Sequence, residues 1–470
     1  MNHSKRNVVC LVINGLNIGF LGAYGNSWVQ TPGFDLLASQ STLFDQYYIH
    51  SPHLISFYEA VFRGTHPAVL NSISSNEYSE AQKCSLPQLF NFAGYRTVLI
   101  TDDSEVAFHS ASTEFSDIKL IDIPDRSSPV DIVEESHFYS FFAQIMDQII
   151  EIQTEIEDIP FFIWGHFSGW SQIWDFPLDN RLAFVDDEDD PDPYSDIIVP
   201  SAWISLPNKK QTDIKSFVQD SSFLSPNQSP NILDDLDKKQ SIQEAYCGGI
   251  SVFDKALDEF CQVFQSNAFW NDSLFLLTSN RGFPLGEHQQ IGNDFLNLYS
   301  EELHLPLLIH FPDQEECFRS SALVDPCDIF VTLASFSEKN QISNAGIREP
   351  VHSSLDDHSS QLGQQYFQID QQWGNNLLNV ISETNDSRAF HEYLLIVEKD
   401  ALSQNRVVVT NEWFLRQTIK INLTNDNQPE RPHYELFVLP DDRWNVNEVA
   451  DRCEKELEKL IPLLTLSVKS

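Results

Sequence analysis

The stretch VINGLNIGFLGAYGN, residues 12–26, closes an apolar run (residues 8–13) with Asn14-Gly15 and a glycine-studded loop. An apolar run of that length, bounded by a turn signal, reads as a strand buried on both faces. Such strands belong to parallel sheets and deliver loops to sites at their carboxyl ends. The pattern recurs along the chain, with further strands expected at 43–49, 97–100, 160–167, 274–278 and 305–311. Helical signals fall between them. Thr31-Pro32 reads as an N-cap and first helical residue for 32–37, and Ser56-x-x-Glu59 as a capping box opening a helix to residue 62. Residues 86–93 form a helix stopped by Gly94, and 138–156, 241–264 and 325–335 are also helical. Strands alternating with helices predict the α/β class, with a mostly parallel central sheet flanked by helices.

At 470 residues the chain exceeds one ordinary core, so two domains are expected. We place the first at 1–360, with an irregular acidic insertion at about 176–237. Its densest patch, residues 186–196, matches no EF-hand spacing and reads as a solvated acidic loop. Residues 345–385 are polar and weakly patterned. After them, 393–397, 406–410, 413–421 and 434–439 read as short antiparallel strands and 447–464 as a helix. They make a small α+β domain, 361–470. The formal net charge of −40 opposes nucleic-acid phosphates and anionic membrane surfaces, so neither is an expected partner. No run is apolar and long enough to span a bilayer. No cleavable N-terminal signal is visible, and seven cysteines without CxxC pairing read as reduced thiols, so a cytoplasmic location is expected.

Further blocks follow the opening one in order: TPGFDLLASQSTLFDQYYIHSP, FRGTHP, LPQLFNFAGYRTVLI, PFFIWGHF, LFLLTSNRGFPLGEH and LYSEELHLPLLIHFP, then VVVTNEWFLRQTIKI and HYELFVLPDDRWNVNEVA near the end. Together these resemble the type I sulfatases of the alkaline phosphatase superfamily over nearly the full length. The resemblance implies sulfuric ester hydrolysis through a calcium ion and a formylglycine made from a cysteine in C-x-P-S-R. It also implies cationic side chains around the sulfate.

The matching positions here have lost those groups. The first metal-ligand pair, Asp-Asp in the family, falls on Asn14 and Gly15. The second, in TSDHG, falls on Asn280 and Arg281. The nucleophile position is Leu54 and the motif arginine Tyr58. The lysine and histidine of GKWH fall on Asp102 and Ser104, the histidine of DPH on Ser171, and the lysine after LGEH near Asn293. Scaffold residues beside them persist, among them Leu16, Gly22, Pro52, Gly64, Gly94, Gly286 and His288. Random decay would erode both sets alike, so a degenerate member is expected, with no cofactor. Arg281 is expected in the ion's volume, hydrogen-bonding Asn14 and nearby carbonyls. A rival reading has it holding an anionic ligand.

His53, Ser56, His166 and Arg281 are the candidates for a residual pocket. Ser56 lacks a basic partner in sequence, and a cap accounts for it. His166, near the end of the 160–167 strand, points toward the old pocket and is expected to be satisfied locally. Asp102 and Asp103 are expected to be solvated, or one of them paired with Arg281. Trp164, Trp170 and Trp174 either line a groove or pack against the sheet. Three functions compete: a catalytically silent homologue that binds a ligand or protein partner, a sulfate- or phosphate-ester hydrolase using non-standard residues, and a structural protein with a filled pocket.

Overall fold

The structure, a computed structural model, describes residues 6–67, 84–123, 129–155, 159–171, 174–184, 236–266, 269–292, 297–344, 374–379, 391–399, 403–422, 428–429 and 431–465. Most of the acidic insertion, the boundary at 360/361 and Asn293 lie outside these residues.

Eight strands make the large sheet: β1 (Asn7–Ile13), β2 (Thr42–Tyr47), β3 (Arg96–Thr101), β4 (Asp117–Leu120), β5 (Phe161–Phe167), β6 (Ser273–Thr278), β7 (Leu307–His310) and β8 (Phe318–Val324). Their order is β4-β3-β5-β1-β6-β7-β2-β8, and only β7 runs against its neighbours. The opening run is therefore a central parallel strand, paired with β5 and β6. Its alternate residues feed two cores. Val9, Leu11 and Ile13 pack with the helices His137–Glu155 and Leu236–Ser266, while Val8, Cys10 and Val12 pack with Leu54–Arg63, Leu86–Phe92 and Pro326–Asn344. The edge strands β4 and β8 escaped the sequence reading. Both are largely solvent-facing along most of their length and show no apolar run.

A second, antiparallel sheet holds β9 (Leu394–Lys399), β10 (Ser403–Val409), β11 (Trp413–Asn422), β12 (Gln428–Pro429) and β13 (His433–Val438). One face, with Ile396, Val407, Phe414 and Phe437, joins the core of the large sheet. The other, with Val408, Leu415 and Leu436, covers Leu460 and Leu464. The terminal helix is shorter than expected. Residues 447–453 are turn and coil, and the helix spans Glu454–Leu460 before a 3-10 turn. Asp442 accepts from the N–H groups of Val446 and Asn447, which favours a turn over a helix start there.

Two predicted caps are corrected. Pro32–Ser39 is a helix, but Thr31 makes no side-chain cap, because its hydroxyl accepts from the Gly22 N–H at 2.8 Å. The helix Leu54–Arg63 starts before Ser56, which therefore sits in its first turn, and Glu59 faces Arg63 (3.7 Å) and His109 (3.3 Å) instead. A capping box does form at Ser85 and Gln88, opening Leu86–Phe92. All seven cysteines are free thiols. No helix among the described residues is long and apolar enough to cross a membrane.

Candidate functional site

The carboxyl ends of β3, β5, β1 and β6 lie side by side, and Asp102, Ser168, Asn14 and Ser279 follow them directly. Backbone bonds stitch the loops together: Asn14 N to Phe167 O (2.9 Å), Gly15 N to Arg281 O (3.1 Å) and Trp170 N to Asn14 O (3.2 Å). Asn14-Gly15 and Asn280-Arg281, the pairs expected at the metal positions, are thus neighbours.

Gly15 is held tightly. Its φ is +79°, and a Cβ there would stand 3.1 Å from Trp170 Cβ and 3.3 Å from a Phe283 ring carbon. Its carbonyl accepts from the Tyr246 hydroxyl at 2.6 Å. Trp164, Trp170 and Trp174 are all fully buried, so they are core and not groove walls.

The Arg281 charge acts on Glu302, a residue that the sequence reading missed. Its guanidinium lies close enough to Glu302 to favour the ionised carboxylate, against a burial that pushes Glu302 up to about 8. Glu302 reaches this loop because the Gly282 N–H bonds to its carbonyl (3.1 Å), an approach with no room for a side chain at Gly282. The expected bond from Arg281 to the Asn14 side chain is not made: Asn14 Oδ1 is buried and has no hydrogen-bond partner among the described residues.

Tyr58 and His166 come together in the core. Trp164 Nε1 donates to the Tyr58 hydroxyl (3.2 Å), which lies 2.8 Å from His166 Nδ1. Burial raises the phenol and lowers the imidazole, so Tyr58 donates to a neutral His166. Only the Nδ1 of His166 is satisfied locally; its buried Nε2 has no hydrogen-bond partner among the described residues and stands 4.0 Å from Asp103. Asp102 is neither solvated nor paired with Arg281. It is buried, accepting from the Ser168 N–H (2.7 Å) and hydroxyl (2.9 Å) and facing His137 Nε2 at 2.9 Å. Strand β3 ends one residue earlier, and Asp103 caps the short helix Ser104–Ala107. Ser104 is exposed, and Ser171 donates to the Ser168 carbonyl (2.6 Å). Leu54 is half-buried against the core, and Ser56 is half-buried one turn into the helix. His53, half-exposed, faces Glu398 of β9 (3.4 Å), and that carboxylate raises its pKa. A cavity of about 380 Å³ opens elsewhere, among Tyr24, Asp45, Tyr48, His304, Arg319 and Arg443.

Residues 6–337 match the family described as Sulfatase. The chain belongs to that family. It is 21% identical to human iduronate 2-sulfatase over 383 residues, 72% of this chain and 65% of the human protein, and thus spans less than two thirds of that relative's length. The phosphonate monoester hydrolase of Agrobacterium radiobacter superposes with a TM-score of 0.64 at 14% identity, covering 98% of this chain and 96% of that one. A protein solved with its substrate D-glucosamine-2-N,6-O-disulfate gives 0.62 at 16% identity, with 98% and 97% covered. These likenesses establish the fold, a type I sulfatase fold of the alkaline phosphatase superfamily.

The family's calcium would need hard oxygen ligands, with carboxylates among them. Asn14 and Asn280 offer neutral amide oxygens, both buried and without hydrogen-bond partners among the described residues. Gly15 offers none, and Arg281 brings a cation. That donor set does not fit calcium. Two overlapping clusters of acids and imidazoles lie elsewhere: buried Asp325 and Asp328 with the half-buried His391, and buried His50 beside Asp325. The sequence carried one signal for this group, the aspartates of D-P-C-D (325–328) at a helix start. The histidines lie far from them in the chain.

Proposed function

We propose that this sulfatase-family protein does not hydrolyse sulfate esters by the family's route and acts by binding, through a surface built on the old site. The observation that carries this reading is the Gly15 loop. Where the family's metal ligand would stand, the backbone is left-handed, and Trp170 Cβ and the Phe283 ring crowd the position a Cβ would take. The buried Tyr58–His166 pair and half-buried Leu54 support it, because neither offers a nucleophile with an accessible base. What remains accessible is the half-exposed His53, the exposed Ile55 and the partly exposed Arg281, a surface that suits a protein partner better than a small sulfate ester.

The test is turnover of aryl sulfate and aryl phosphate by the purified chain, with and without added calcium. We expect none above the background of a heat-denatured sample. Turnover abolished by Ser56→Ala or Arg281→Ala would overturn the reading and establish hydrolysis through non-standard residues.

A further inference from the structure

At the β2–β8 edge of the same sheet end, three chain segments bring acids and imidazoles together in the core. His50 follows β2, Asp325 follows β8, and His391 lies just before β9. Asp325 and Asp328 form a reciprocal cap at the start of Pro326–Asn344. Asp325 Oδ1 accepts from the Cys327 N–H (2.7 Å) and the Asp328 N–H (3.3 Å), and Asp328 Oδ2 from the Asp325 N–H (2.8 Å). Capping accounts for one oxygen of each carboxylate. The others have a different environment. Asp325 Oδ2 stands 3.0 Å from His50 Nε2 and 3.4 Å from His391 Nε2, and both Asp328 oxygens lie 3.1 Å from that same His391 nitrogen. One ring nitrogen cannot donate to three carboxylate oxygens. His50, only 2% exposed, has no hydrogen-bond partner on either ring nitrogen among the described residues, although Nε2 is aimed at Asp325.

We propose that Asp325, Asp328 and His391, with His50 facing Asp325, form a binding site for a divalent first-row transition metal of the zinc class. Bonds of about 2.0–2.2 Å in a tetrahedron place ligand atoms about 3.3–3.6 Å apart. The His50–Asp325, His391–Asp325 and His391–Asp328 separations of 3.0, 3.4 and 3.1 Å are close to that spacing. Mixed imidazole and carboxylate donors select zinc over calcium or magnesium, which take oxygen ligands. Two buried carboxylates and one divalent cation also neutralise each other, as burial demands. The aspartates are already oriented by the helix cap, and the Asn375 N–H holds Asp328 Oδ1. The site is separate from Asn14 and Arg281, and it would clamp the entrance of the second sheet to the large one.

The experiment strips the full chain with a chelator, reloads it with Zn²⁺ or Co²⁺, and measures bound metal by elemental analysis, Tm and the cobalt absorption bands. We expect about one equivalent per chain, tetrahedral cobalt bands and a Tm that climbs with free zinc. His391→Ala, which leaves the helix cap intact, should weaken affinity by at least about tenfold. Asp325→Asn should do the same, and Arg281→Ala should leave stoichiometry unchanged. A folded chain that retains no metal and shows no zinc-dependent Tm would overturn the proposal and leave a proton-sharing network. Metal retained at full affinity in His391→Ala would also overturn it.

Discussion

Glu302 sets charge against burial at a single side chain. It is 1% exposed, and its Oε2 accepts from the Leu298 N–H at 2.7 Å. Burial raises its pKa from 4.5 to about 8, and the Arg281 cation opposes that rise. The folded state therefore binds this proton more tightly than the unfolded chain. Its contribution to stability is complete below pH 4.5 and is lost as pH rises through about 8. Glu302→Gln removes the linkage. Between about pH 5 and pH 9, urea unfolding should show the variant gaining on the parent by on the order of a few kcal/mol. Arg281→Met should steepen the parent's decline, and parallel pH profiles for all three chains would refute this account. The loss of charge at Asn14, Gly15 and Asn280 was legible from residue identity alone. Glu302 was not, because nothing in its local sequence says that it faces a loop twenty residues away.

The loop after β1 takes its shape from its neighbours as much as from its own glycines. Gly15 combines φ +79° with contacts to Trp170 and Phe283, and Tyr246 anchors its carbonyl. Gly15→Asp, which restores the family's carboxylate, must adopt a left-handed backbone and crowd Trp170 Cβ and the Phe283 ring. We expect it to lower unfolding stability by about 1–3 kcal/mol without creating calcium-dependent Tm or turnover. Wild-type stability with a calcium response would refute this. Elements with strong periodicity or clear stop signals were readable at this scale, including β1, β5, β6 and the helix ended by Gly94. The Ser56 box was misread because two residues at capping spacing do not reveal where a helix starts. His53 already occupies the N-cap position, one residue before Leu54.

Across the whole molecule, the two sheets share one core. Phe414, fully buried, lies near Tyr48 of the large domain and Phe437 of the small sheet. Arg416 and Tyr299 both engage Glu435, and His288 Nε2 donates to the Asn445 carbonyl (2.8 Å). Phe414→Ala should cost about 3–5 kcal/mol and lower a single unfolding transition seen alike by far- and near-UV circular dichroism. Two separated transitions, with only one shifted, would show that the sheets unfold independently. The sequence by itself determined the α/β alternation, the buried character of the central strands and the absence of carboxylates at Asn14, Gly15, Asn280 and Arg281. Those properties reside in side-chain periodicity and residue chemistry, which act locally. Only the tertiary structure decided that Tyr58 meets His166, that the Arg281 charge acts on Glu302 and that His50 and His391 both approach Asp325. Those pairs span tens to hundreds of residues, and strand order and the docking of the second sheet bring them together.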